Sequence, residues 1–214
     1  MKTFTALLLI LSPIFAHTQN LQADLYAGVA NYQGDLQGKR FTFNNAKPAA
    51  GLGLSYDLTG HFTLRGIGSY MKISGDDKNN TTATGITYRN LNFTSSMWEA
   101  QLAVEYNLFD LAERSFTPYA FAGLAAFHFN PYSFDASGNK VYLRSLSTEG
   151  QGLTAYPNRK MYKNNQFSIP VGAGIKLVLS PHLIAGVEIN IRKTFTDYLD
   201  DVSQTYVGAD KFPP

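Results

Sequence analysis

The sequence predicts an all-β fold, a small antiparallel outer-membrane β-barrel of the eight-stranded type. Three observations carry that reading. Apolar residues recur with period two through most of the chain. The opposite strand faces hold small residues and a few scattered charges, which suits a narrow lumen better than a solvated surface. The connections alternate between short and long, as they do when turns face one side of a membrane and loops the other.

In chain order, the first segment reads as an export signal. Lys2 supplies a positive charge, Ala6 to Phe15 is an apolar run, and Ala16-His17-Thr18 places small residues at a cleavage site. The run is too short to span a bilayer as a helix. The expected division is therefore a signal peptide over 1–18, cut after Thr18, and a barrel domain over 19–214. Alternation begins at Gln22, with Ala23, Leu25, Ala27 and Val29 on one side and Gln22, Asp24, Tyr26 and Gly28 on the other. It returns over 50–57, 98–106, 167–177 and 183–192, and more weakly over 62–73 and 119–129. That gives seven strands, and no segment sustains a helical period.

Aromatic spacing points to a membrane. Phe62 and Tyr70, Trp98 and Tyr106, and Tyr119 and Phe127 each sit eight residues apart. Eight strand steps span roughly 26 Å, close to the height of an apolar band once tilted. Short connections are expected at 58–61, 110–115 and 180–182, and long ones at 33–47, 74–90 and 130–165. Starting from the periplasm, this places every long segment outside.

Composition narrows the function. The chain of 214 residues has no cysteine, which excludes disulfides, thiolate metal sites and a cysteine nucleophile. A net charge of +2 from interspersed residues offers no surface for nucleic acid. The inward positions collect Arg65, Glu99, Glu105, Lys176, Glu188 and Arg192. In a bore of about eight strands these must pair with one another, so they predict a rigid, closed interior rather than a pore. His128, Ser133 and Asp135 form the one candidate catalytic set, at a spacing with no motif meaning. Asp197, Asp200 and Asp201 lack the spacing of a calcium loop, so no metal and no cofactor are expected.

Several strings go beyond barrel pattern: YQGDL at 32–36, the run at 88–109, TPYAFAGLAAFHFNP at 117–131, LSTEGQGL at 146–153, FSIPVGAGIKLVLSPHL at 167–183 and RKTFTDYLDDVSQTY at 192–206. Together they resemble the PorG-like outer-membrane β-barrel family of Bacteroidetes. The resemblance implies a non-enzymatic barrel in the outer membrane that supports type IX protein secretion, with membrane lipid and secretion-system proteins as partners. It also implies a final strand after the last outer loop. The tail over 202–214 shows no alternation, so the sequence predicts a barrel lacking its closing strand, through truncation, a missed strand or a strand supplied by a partner. If a partner-contact surface exists, it is expected on the loops at Thr148, Glu149, Gln151, Asp197, Asp200 and Asp201, or at 88–90. Two alternatives from other classes stand beside this reading: a lipid-modifying barrel enzyme, and a soluble periplasmic lipocalin-like binding barrel.

Overall fold

The computed structural model describes residues 3–11, 20–38, 42, 44–77 and 91–207, the first of these ranges by backbone alone. Among them are nine strands: β1 (Thr3–Leu11), β2 (Leu21–Gln33), β3 (Lys47–Asp57), β4 (Phe62–Asp76), β5 (Asn92–Asn107), β6 (Phe116–Phe134), β7 (Lys140–Tyr142), β8 (Asn165–Ser180) and β9 (Leu183–Thr194). Every pairing is antiparallel, in the order β5-β4-β3-β2-β1-β9-β8-β6-β7. Because β5 also pairs with β6, the eight long strands close into a barrel. The short β7 folds back on the far end of β6, beyond the ring.

Closure comes from the chain's start. β1, within the segment that reads as an export signal, lies between β2 and β9 and pairs with both. The seven strands expected from the sequence leave their gap at this place. Both neighbours are antiparallel to β1, so β2 and β9 run the same way. The cleavage site at 16–18 and the end of the tail, 208–214, lie outside the described residues, as do residues 88–90.

The side chains are distributed inside out relative to a soluble barrel. Leu102 is 66% exposed and Ile189 56%, with Leu52, Leu124, Phe167, Val171 and Val187 on the same exterior. Arg65 and Glu105 are 1% and 0% exposed. The aliphatic half of each alternation thus faces out and the charged half faces in, and strand residues alternate faces by construction.

The aromatic pairs need one correction. Phe62, Trp98 and Tyr106 are exposed on the exterior, where Tyr70 and Trp98 touch with ring centres 4.7 Å apart and Phe62 and Tyr106 at 5.2 Å. Tyr119 and Phe127 are buried inside instead. The outward positions of β6 are mostly small (Ala120, Ala122, Ala126), so its amphipathy is weak and its rings take the lumen.

Two glycines on β8 make room for those rings. A Cβ at Gly172 would lie 2.5 Å from Phe121, and one at Gly174 2.7 Å from Tyr119. Gly172→Leu should therefore destabilise the barrel by about 1–3 kcal/mol or prevent its closure, by overpacking. Urea unfolding in lipid vesicles checks this, with an unchanged midpoint as the contrary result.

Candidate functional site: an occluded lumen and its loop cap

The interior has two storeys. The lower one, toward the short turns, is charged. Arg65 on β4 reaches Glu105 on β5 at 3.0 Å and Glu188 on β9 at 2.9 Å. Lys176 on β8 pairs with the other oxygen of Glu105. Further from the turns, in the row of Phe127, Arg192 on β9 meets Glu99 on β5 at 2.8 Å, and its Nε also donates to the same carboxylate. All six lumen residues singled out from sequence face inward and pair among themselves. Three cations match three carboxylates across the bore, so the set is neutral.

Aromatic groups complete this storey. Arg65 Nη2 donates to the Tyr26 hydroxyl at 3.0 Å, and Tyr119 donates to Glu188 at 2.9 Å. The Arg65 guanidinium lies 4.6 Å from the centre of the Phe121 ring, a cation–π distance. Nothing in the residue pattern marked these tyrosines as partners. Their only signal is that they occupy inward positions on the same strands. The remaining space beside Asp24, Tyr26, Arg65 and Lys176 is about 20 Å³, room for about one water.

The upper storey is apolar, which the sequence reading did not anticipate. Ile67, Met71 and Ile73 of β4, Phe93 and Met97 of β5, and Phe127 and Phe129 of β6 pack with Tyr26, Tyr32 and Leu36. Leu199 and Val202 descend onto them from the loop after β9.

Above them two long loops form a cap. One runs from the 3-10 turn at Leu143–Leu146 to β8, the other follows β9. Arg159 Nη1 donates to the carbonyls of Glu149 (2.6 Å) and Thr205 (2.9 Å), and Val207 N donates to Thr148 O at 3.1 Å. Glu149 Oε1 accepts the amides of Ser203 (3.0 Å) and Gln204 (2.7 Å). Tyr162 donates to Asp201 at 2.6 Å, and Tyr32 on β2 donates to Asp200 at 2.5 Å. The Tyr162 ring stacks between Phe129 (5.8 Å) and Tyr198 (4.8 Å). Gly150 and Gly152 turn the first loop at φ 77° and 76°, in the left-handed region that glycine tolerates.

The six loop residues expected on a contact surface therefore belong mostly to the cap's inside. Glu149, Gln151, Asp200 and Asp201 are buried. Glu149 and Asp201 hold one loop to the other, Gln151 braces Glu149 within the first loop, and Asp200 ties the second loop to Tyr32 on β2. Asp197 accepts from Ser203 at 2.9 Å, and Thr148 lies 3.4 Å from Asp201. A partner would meet the outside of this cap rather than these carboxylates. Their burial follows from Leu199 and Val202, whose apolar side chains pull the acidic string down into the barrel mouth.

The catalytic set is not assembled. His128 Nδ1 faces Asn165 Oδ1 at 2.7 Å on the exterior, Ser133 donates to Asn92 at 2.6 Å, and Asp135 accepts the amides of Ser137 and Asn139 in a turn. These turn hydrogen bonds hold the Asp135 carboxyl below its ordinary range. Among the described residues, no group of three or more His, Asp or Glu side chains could hold a metal ion.

Burial pushes Asp201 up to about 6, with nearby Glu149 and Asp200 adding to the shift and the hydroxyls of Tyr162 and Thr148 opposing it. The same burial, beside Asp201, keeps Tyr162 protonated and donating.

Residues 1–207 match the model of a family described as a domain of unknown function (DUF6089), and the chain belongs to that family. No curated protein sequence matches it. Among solved structures it is similar to Ail, the attachment invasion locus protein of Yersinia pestis, solved with the heparin analogue sucrose octasulfate. The two share 8% identity at a TM-score of 0.36, over 91% of this chain and 99% of that one. It is also similar to a mutant of the ferric enterobactin receptor of Pseudomonas aeruginosa solved with enterobactin, at 13% identity and a TM-score of 0.20. That match covers 88% of this chain and 40% of the receptor. The strand ladder and the side-chain distribution, not these likenesses, define the architecture.

Two tests follow from this interior. Arg65→Met leaves Glu188 and one oxygen of Glu105 without their cation and should cost about 3–5 kcal/mol in urea unfolding. Adding Glu188→Gln should recover part of that loss, and equal stability of all three proteins would contradict the network. A raised carboxyl pKa means Asp201 supports the folded cap fully below pH about 4, and that support is lost as pH rises through about 6. Proteolysis at Lys160 should therefore be slower at pH 5 than at pH 8 relative to an unstructured peptide control, and Asp201→Asn should flatten the difference.

Proposed function

We propose that this member of the DUF6089 family is a non-catalytic outer-membrane barrel. On this reading it is a rigid, occluded scaffold whose loop cap faces the cell exterior. One observation carries it: the aliphatic residues lie outside and the paired charges inside. Exposing Leu52, Leu102, Leu124, Val187 and Ile189 to water would present a large apolar belt, whereas acyl chains accept it. The soluble lipocalin-like alternative would need the reverse arrangement. The paired lumen charges and the apolar cluster above them favour an occluded barrel over a conducting one.

The enzyme alternative loses its support, since His128, Ser133 and Asp135 engage separate partners. A secretion role rests on the resemblance of the YQGDL, TEGQGL and DYLDDVS strings to PorG-like proteins, because a barrel fold alone does not specify function. In that role the cap's outer face is the surface offered to secretion-system proteins. Export through a signal over 1–18 would also remove β1, leaving the β2 and β9 edges to be covered by another strand, since unpaired backbone in lipid costs several kcal/mol per group.

Fractionation tests location: the protein should stay with outer membranes after a carbonate wash, and recovery in the aqueous periplasmic extract would overturn the membrane reading. N-terminal sequencing of the extracted protein should begin at Gln19, whereas a start at Met1 would keep β1 in the barrel. For the secretion role, deletion should retain type IX cargo inside the cell, and normal cargo release would remove that role.

A further inference from the structure

The exterior wall carries a feature that the scaffold reading does not use. Strand pairing aligns Trp98, His128 and Asn165 in one row across β5, β6 and β8, and Ala100, Ala126 and Phe167 in the row below it. Leu102 and Leu124 follow beneath. Two alanines set beside these larger side chains leave a groove of about 400 Å³. Its walls are Trp98, 63% exposed and held by the Tyr70 ring, and Phe167, 70% exposed.

The groove lies where the wall changes character. Below it the outward residues are aliphatic, and above it they are Ser96, Thr94 and Asn130. At its upper end the His128–Asn165 hydrogen bond uses Nδ1 of the imidazole and leaves Nε2 facing away from that partner. Exposed Lys163 stands two residues from Asn165, and its carbonyl accepts the Gln166 side chain at 2.9 Å, which fixes this corner. Glu99 also lines the groove, but its carboxylate is turned inward and held by Arg192. An exposed lysine two residues beyond the polar end and small residues along the apolar end suit an amphipathic anion.

We propose that this groove is a binding site for an anionic lipid. One acyl chain lies over Ala100 and Ala126 between Trp98 and Phe167, and Lys163 and His128 meet the phosphate headgroup. The inference rests on the membrane reading above and assigns a lipid class to that wall.

Trp98 is the chain's single tryptophan, so its fluorescence reports on this wall alone. The test reconstitutes the full chain in vesicles doped with acyl-brominated phosphatidylglycerol or acyl-brominated phosphatidylcholine. Half-maximal quenching should need about fivefold less of the anionic lipid, the effect of one lysine near an anionic surface. Lys163→Gln should bring that ratio close to one, and so should Ala126→Phe, which fills the groove. Both variants are compared by heat-modified gel migration to show that they remain folded. Equal quenching by the two lipids in the unaltered protein, or a preference that survives in both folded variants, overturns the site. Quenching by neither lipid contradicts the membrane reading itself.

Discussion

The bore of an eight-strand barrel is too narrow to hydrate buried ions, so every charge placed inside it must be neutralised by another side chain. Arg65 meets that constraint at the centre. It joins β4 to β5 and β9, and through Glu105 it is linked to Lys176 on β8. Around this hub, the Tyr119 and Phe121 rings need space that only Gly172 and Gly174 on β8 leave. The exterior inherits the consequence, because a strand that sends its polar residues inward must send its aliphatic ones out.

Each strand also changes character along its length. In β4 the inward residues run from Arg65 to Met71 and Ile73, and in β5 from Glu105 and Glu99 to Met97 and Phe93. Outward, Leu102 and Leu124 give way to Ser96 and Asn130. The change falls at the row of Tyr70, Trp98 and His128, the level suited to a membrane interface, where amphipathic rings are favoured. Beyond that row the strands behave as a small soluble barrel, with an apolar core closed by Leu199 and Val202. The cap is a continuation of that core, which explains why its carboxylates are buried.

Much of this was legible from period two alone. The seven strands after residue 20, the outward aliphatic residues and the six inward charges all follow from alternation, since period two fixes which face each residue takes. The apolar storey was not, because Met71, Ile73, Phe93 and Met97 lie past the point where the outward face turns polar, and the alternation there reverses its meaning. Tyr119 and Phe127 lie inside, against expectation, because they alternate along β6 with alanines, which signal neither face. The cap loops read as solvated because Glu149, Asp200 and Asp201 are polar. The hint lay in the spacing of Leu199 and Val202 within the acidic string. The strand over Thr3–Leu11 is not legible as one because its aliphatic run is unbroken and lacks period two, the pattern of an export signal.

On the proposed membrane reading, the exposed Leu102 and Val104 face acyl chains while the buried Ala103 and Glu105 face the interior. The chain has no cysteine, so single cysteines can be placed at 102, 103, 104 and 105 and spin-labelled in vesicles. Collision with dissolved oxygen, which concentrates in lipid, should peak at 102 and 104 and fall at 103 and 105, with little access to a water-soluble nickel chelate at any of them. High nickel access at 102 and 104 would put those side chains in water and contradict the account.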